Sequence, residues 1–391
     1  MWQKNDTKGL RKGGLFFFMA LALACTLLAF CKPDHNTGDK QDTLTASLAA
    51  TAPPADTAAV QPAPPQDTFY TIVGVGDMML GTNYPNTGYL PANDGKDLLA
   101  DVREILKNAD VTFGNLEGTL FDSGGTPKSC RDMSKCYVFR TPAKYVQNYV
   151  DAGFDLVSIA NNHSGDFGPE GRKQTKANLK EAGILYAGLA GTDEYAVFEK
   201  DGVKYGLCAF APNSGTCDIR NLANAKRIVE KLAGLSDIVI VSFHGGAEGS
   251  NAQHVPKRTE TFVGENRGDV HAFAHAVIDA GADIVFGHGP HVTRAMELYK
   301  DRFIIYSMGN FCTYGRFSLS GPAGYAPIIS LKIKPDGQFA EGQITPIYQQ
   351  KTHGPKIDSQ KRAIKTLQEL TKADFPNSGL VISGEGKVER E

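Results

Sequence analysis

The sequence is poor in several features that mark out particular protein classes. Tryptophan occurs once in 391 residues, and the seven cysteines contain no Cys-x-x-Cys pair. The missing pair argues against a structural zinc ribbon, which takes its thiolates from such spacings. Neither sign of charge is in excess: Lys+Arg is 41 and Asp+Glu is 43, a formal net charge of −2. That balance argues against a nucleic-acid binder relying on a broad basic surface, and against a polyanionic disordered chain. Only one long apolar run is present, which rules out a multi-span membrane protein. There is no fixed-period internal repeat. What remains is an ordinary globular composition, 41% hydrophobic and 21% charged, in a length that one large α/β domain can occupy.

The apolar run lies near the start. Lys4, Lys8, Arg11 and Lys12 precede Leu15 to Phe30, where the main polar interruption is Thr26. A short apolar segment behind positive charge reads as a secretory signal. It ends at Leu28-Ala29-Phe30-Cys31, which resembles a bacterial lipobox, so Cys31 is the expected lipidation site. Cys25, after Leu23-Ala24, is an alternative, and an uncleaved anchor helix is a third reading. Each places the rest of the chain outside the cytoplasm, as a membrane-anchored protein of the cell envelope, periplasmic or surface. Residues 32–67 are rich in Thr, Ala, Pro and Asp and have no Phe, Tyr or Trp. Such a tract cannot bury enough apolar surface to order itself, and as a tether it reaches roughly 30–35 Å. In an oxidising compartment Cys130 with Cys136, and Cys208 with Cys217, could each close a local disulfide, leaving Cys312 as a buried thiol.

From residue 68 to about 350, strand-like runs alternate with helical patterns. The predicted strands are 69–75, 111–113, 156–160, 205–210, 238–243, 284–286 and 303–307, followed by 328–333 and 342–348 around the turn Pro335-Asp336-Gly337. Helical periodicity covers 97–108, 144–152, 168–182, 221–232 and 270–280. The alternation predicts an α/β fold, and the two late strands an antiparallel addition. Residues 351–391 are expected to form a helical tail, with Ile364, Leu367 and Leu370 on one helix face.

The polar residues gather where predicted strands stop. These ends read Gly76-Asp77, Gly114-Asn115-Leu116-Glu117, Asn161-Asn162-His163-Ser164-Gly165-Asp166, His244-Gly245-Gly246-Ala247-Glu248, Gly287-His288-Gly289-Pro290-His291 and Met308-Gly309-Asn310. Ligands of open α/β sheets bind outside the carboxyl ends of the strands, so these loops are expected to converge on one mouth. Oxygen and imidazole donors without thiolate suit Mn, Zn or Fe, as one or two ions. A spare His there can protonate a leaving group. His254, His271, His275 and His353 lie off the strand ends and are read as surface or helix residues.

Taken in order, these motifs resemble the CapA family of capsule-synthesis proteins linked to poly-γ-glutamate, which is similar in fold to calcineurin-like metallophosphoesterases. Ala160-Asn161-Asn162-His163 with Asp166-Phe167-Gly168, Gly287-His288-Gly289-Pro290-His291-Val292 and Tyr306-Ser307-Met308-Gly309-Asn310-Phe311 carry the match. The resemblance implies a four-layer αββα sandwich over residues 68–350. It implies that Asp77 and His291 bind a first metal, that Glu117 replaces a bridging Asp, that Asn162, His244 and His288 bind a second, and that His163 is the general acid. Asn161, Asp166, Asn310 and Arg140 are expected to contact the substrate. Met79 stands where the phosphoesterase pattern has a ligand His. The expected role is synthesis or export of an anionic polymer, as a metal-dependent hydrolase acting on phosphate or γ-glutamyl bonds. The alternatives are a non-catalytic accessory protein that binds polymer or a capsule synthase, and a phosphoesterase unrelated to capsule.

Overall fold

The computed structural model describes residues 68–130 and 136–391. The expected signal, Cys25, the Cys31 lipidation site and the tether all lie outside the described residues. Two mixed sheets form the centre. The larger has ten strands, in the order Leu380–Ile382, Lys387–Arg390, Phe339–Tyr348, Tyr325–Ile333, Tyr70–Met79, Val111–Leu116, Leu156–Ser158, Leu185–Ala187; Asn310–Thr313 also pairs with Tyr70–Met79, and Lys356–Ile357 with Phe339–Tyr348. The smaller has six, in the order Met296–Tyr299, Arg302–Ile305, Ile284–His288, Ile238–His244, Val203–Phe210, Tyr195–Lys200.

The helices are α1 (Arg103–Lys107), α2 (Val146–Asp151), α3 (Gly168–Glu181), α4 (Leu222–Ala233), α5 (Val270–Asp279) and α6 (Arg362–Asp374). Side chains of a strand alternate between its faces, and here both faces are covered, which is why the central strands read as continuous apolar runs. Ile72, Val111 and Phe113 of the larger sheet meet Ile240, Ile284 and Phe286 of the smaller in one cluster. The Phe113 and Phe286 rings stack there at 5.4 Å. The next residues along, Val73 and Val75, turn outward onto Leu106, Tyr149 and Leu179 of α1, α2 and α3. Val239, Val241 and Val285 turn outward onto Ile228 and Leu232 of α4 and Phe273 and Val277 of α5. Three apolar layers between helix, sheet, sheet and helix make the αββα sandwich.

Two expectations are corrected. The segment after residue 350 is helical only in α6. Its strands Lys356–Ile357, Leu380–Ile382 and Lys387–Arg390 extend the larger sheet, and Ile364 and Leu367 enter the inter-sheet core. Cys130 and Cys136 are disulfide-bonded, but Cys208 and Cys217 are separate buried thiols, as is Cys312. Cys208 sits in a core strand, facing the apolar layer under α4 and α5. Among the described residues, no helix is long and apolar enough to cross a membrane.

Candidate metal centre

The strand Tyr70–Met79 carries Asp77 within it, at a point where the register slips against both parallel neighbours. Such irregularities re-aim a side chain. A Cβ on Gly76 would lie 2.0 Å from the Gly309 carbonyl oxygen, so only glycine allows the approach in which the Asp77 N–H donates to that oxygen at 2.9 Å. The buried Asp77 carboxylate accepts from Asn115 Nδ2 at 2.9 Å. Its other oxygen is 2.9 Å from His291 Nδ1, and His288 Nδ1 is 3.3 Å from Oδ1. Glu117 follows the next strand, pinned by its N–H donating to the Met78 carbonyl at 2.9 Å. His291 Nε2 is 3.5 Å from Glu117 Oε1, so one imidazole lies between two carboxylates. Ligand atoms of Asp77, Glu117 and His291 all fall within 4.8 Å of one another.

The smaller sheet supplies the facing histidines. His244 and His288 end adjacent parallel strands and are partners in register. Beyond His288 the chain turns at Gly289, whose φ is 113° and whose Cβ would meet the Gly245 backbone at 2.7 Å. His291 itself has φ 57°. A left-handed non-glycine residue is strained, and such strain is held at functional sites by the surrounding structure.

The donor atoms fit a cation. Both carboxylate oxygens of Glu117, both ring nitrogens of His244, Nε2 of His288, and Oδ1 of Asn162 and Asn310 are buried with no hydrogen-bond partner. An orphaned buried polar atom costs about 1–3 kcal/mol, and unpaired lone pairs on these strand-end residues, beside the Asp77, Glu117 and His291 cluster, suit a cation. The electrostatics mark the same carboxylates as a point that draws positive charge, a proton on His291 when no cation is bound. Burial, and then the charge of Asp77, push Glu117 well above the usual carboxylate range. Burial alone would raise Asp77 as well, but the imidazoles of His288 and His291 hold it far below that range. Burial opposes a charged His291, yet Glu117 and then Asp77 outweigh it and raise the ring to about 10. Burial, helped by Arg267, keeps His244 neutral, the form in which imidazole ligates a metal.

Beside these ligands, His163 Nδ1 is 2.8 Å from Asp166 Oδ2, and its ring stacks on Phe139 at 4.3 Å. Lys128 Nζ pairs with Asp166 Oδ1 at 2.5 Å and donates to the Asn162 carbonyl at 3.1 Å. Burial, with Lys128 adding to it, lowers the His163 pKa against the pull of Asp166.

Three residues expected to contact substrate are otherwise engaged. Asp166 is fully buried and also accepts from the Phe139 N–H at 2.6 Å. Asn161 donates to Asn115 Oδ1 and the Leu116 carbonyl and accepts from the His163 N–H, so its amide joins two strand ends. Arg140 donates to Asn83 Oδ1 and the Gly124 carbonyl and lies over the Phe167 ring. Asn310 Nδ2 donates to the His291 and Ala323 carbonyls, leaving only Oδ1 unpaired. The Met79 sulfur accepts from the Gly81 N–H at 3.2 Å.

Sequence reasoning missed Lys128 and Arg267, and assigned no role to Asn115 or Glu248. Glu248 was visible after His244 but had no partner in sight. Arg267 comes from the hairpin Glu260–Phe262 and Glu265–Gly268, which shows no apolar alternation. His271, His275 and Glu297 form a separate group. There His275 Nε2 is 3.0 Å from both Glu297 oxygens and the Tyr306 hydroxyl donates to Oε2 at 2.6 Å, so the carboxylate is already occupied.

A cavity of about 520 Å³ adjoins the centre, lined by Arg316, Phe317, Gln349, Gln350 and Lys351 among others. The Phe317 ring joins it to the site, 5.3 Å from the His291 ring and 5.2 Å from that of Phe139.

The fold and this donor cluster define a layered α/β protein with a candidate metal site at its strand ends. The chain belongs to the bacterial capsule synthesis protein PGA_cap family, whose model matches residues 71–314. It is 29% identical over 264 residues to the capsule biosynthesis protein CapA of Bacillus anthracis, covering 62% of this chain and 59% of that one. It is 28% identical over 321 residues to the PGA biosynthesis protein CapA of Bacillus subtilis strain 168, covering 76% and 77%. A probable polyglutamine synthesis accessory protein of Mycobacterium tuberculosis is 34% identical over 183 residues, 40% of this chain and 44% of that one. The chain spans 59% to 66% of the length of the first curated relatives it matches. Similar solved structures include a novel phosphatase from Mycoplasma pneumoniae (14% identity, 75% and 96% covered, TM-score 0.45) and a putative 5′-nucleotidase from Staphylococcus aureus (14%, 78% and 58%, 0.39).

Proposed function

We propose that this chain serves the synthesis or export of a poly-γ-glutamate-type anionic polymer, as a metal-dependent hydrolase of phosphate or γ-glutamyl bonds held to the cell envelope through a lipid on Cys31. The observation that carries the site reading is the cluster of Asp77, Glu117 and His291 ligand atoms within 4.8 Å of one another, with unpaired buried atoms of His244, His288 and Asn162 on other strand ends. Asp77, His291 and Glu117 would hold one Mn, Zn or Fe ion, and Glu117, His244, His288 and Asn162 a second. Such ions supply positive charge to the substrate's oxygens and activate water. The chain's own residues do the rest. Asp166 fixes the His163 ring through Nδ1, so that a ring also protonated at Nε2 can hand that proton to the leaving group. Arg316 and Lys351 line the neighbouring cavity, which suits a polyanion leading away from the centre. Capsule synthase subunits are the partners this role requires.

One observation favours an accessory, non-catalytic reading: Met79 takes a position where the phosphoesterase pattern has a ligand His, and its sulfur accepts from the chain's own backbone. Metal analysis of the purified full chain, with its Asp77→Ala and His288→Ala variants, tests the site. Wild type is expected to hold at least one ion per chain. Each variant is expected to bind it at least tenfold more weakly while keeping its circular dichroism. Unchanged metal binding in both removes the assignment. Phosphate esters and γ-glutamyl peptides then decide catalysis: a metal-loaded protein that turns over neither is the accessory protein.

A further inference from the structure

Arg267 is a buried charge that the metal-site reading does not account for. It is 2% exposed and lies at the end of the hairpin strand Glu265–Gly268. Its carbonyl accepts from the Gly246 N–H at 3.0 Å, two residues beyond His244. The Gly245 N–H in turn donates to the His288 carbonyl at 2.9 Å, so the arginine is laid directly against the two ligand-bearing strand ends. Glu117 and His244 both feel its charge.

Its Nε and Nη2 are buried and make no hydrogen bond. Glu248 Oε1 lies 3.0 Å from Nη2, but not in line with an N–H. These two nitrogens form one edge of the guanidinium, the edge that binds two oxygens of a single anionic group side by side. A buried arginine whose Nε has no partner and whose Nη2 meets a carboxylate only out of line is costly, and an anion with two oxygens side by side would complete that edge. A metal ion cannot be that occupant, since guanidinium has no lone pair to give.

We propose that Arg267 is a substrate-binding residue that grips two oxygens of one anionic centre, a phosphoryl group or a carboxylate, on the His244 side of the metal centre. Glu248 is its resting partner, displaced when the anion arrives. This rests on the reading of the strand ends as a substrate site, but it does not require that the site be catalytic.

The test uses the full chain with and without added Mn²⁺, titrated calorimetrically with inorganic phosphate and, separately, with glutarate. The metal content of every sample is measured. Wild type is expected to bind at least one of the two anions, and which one identifies the source of the oxygens. Arg267→Gln is expected to weaken that binding at least tenfold. Arg267→Lys, which keeps the charge and loses the edge, is expected to recover only part of it. Glu248→Gln, which removes the competing carboxylate, is expected to bind the anion as tightly as wild type or tighter. Failure of wild type to bind either anion overturns the proposal. So does an unchanged affinity in Arg267→Gln, or an equal loss in Glu248→Gln, which would make the pair a structural salt bridge. Loss of metal from wild type alone would instead count against the metal centre, because the anion titration without Mn²⁺ reads Arg267 independently.

Discussion

At the scale of single residues, burial sets the chemistry and local partners correct it. Asp283 shows this away from the site. It precedes the strand Ile284–His288, accepts from the Val239 N–H at 2.8 Å and pairs with Arg302 at 2.9 Å. Burial still outweighs these contacts and raises its carboxyl from 3.8 to about 6. The folded state therefore binds this proton more tightly than the unfolded chain does. Its contribution to stability is complete below pH 3.8 and is lost as pH rises through about 6. Urea unfolding at stepped pH is expected to show wild type losing up to about 3 kcal/mol over that window, relative to Asp283→Asn, which lacks the titration. Equal slopes in the two proteins would show that the buried carboxyl titrates normally.

The same logic explains which site residues could be read from sequence. Asp77, Glu117, His244 and His288 are chemically conspicuous at strand ends; buried atoms of Glu117, His244 and His288 stay without a hydrogen bond in the fold, while Asp77 is met by Asn115, His288 and His291. Asn161, Asp166 and Arg140 are equally conspicuous in sequence, but their partners, Asn115, Lys128 and Asn83, come from segments up to 57 residues away. Only the fold shows that their hydrogen bonds are already made.

At the scale of elements, long apolar strands and amphipathic helices were legible because period and burial coincide. What escaped were strands defined by a distant partner. Tyr70–Met79 was expected to stop at residue 75; it continues because Asn310–Thr313 pairs beside it. The short strands Leu185–Ala187 and Met296–Tyr299 are too brief for an alternating pattern to register. Past α6, Leu380–Ile382 is apolar but only three residues long, and Lys387–Arg390 is mostly polar and exposed; together they close a sheet edge. The turn joining His288 to His291 is the element on which the site depends most. Gly289→Ala would place a methyl 2.7 Å from the Gly245 backbone at φ 113°. The expected cost is about 1–3 kcal/mol of stability from backbone strain, together with weaker metal binding as His244 and His291 move apart. Thermal melts and metal titration of this variant check both.

At the scale of the whole molecule, two sheets share an apolar interior while their strand ends bring together donors that no single sheet holds. Asp77 and Glu117 belong to the larger sheet, His244 and His288 to the smaller. The Asp77–His288 approach at 3.3 Å closes the gap between them. A cation there would join the two sheets as well as complete the site, so metal should also raise the unfolding temperature. The most direct test is diffraction from crystals of the full chain grown with Mn²⁺, with data collected where manganese scatters anomalously. The account predicts a strong anomalous peak within bonding distance of Asp77, Glu117 and His291, or of Glu117, His244 and His288, or of both sets. Crystals that show manganese elsewhere, or none at these residues, would contradict it.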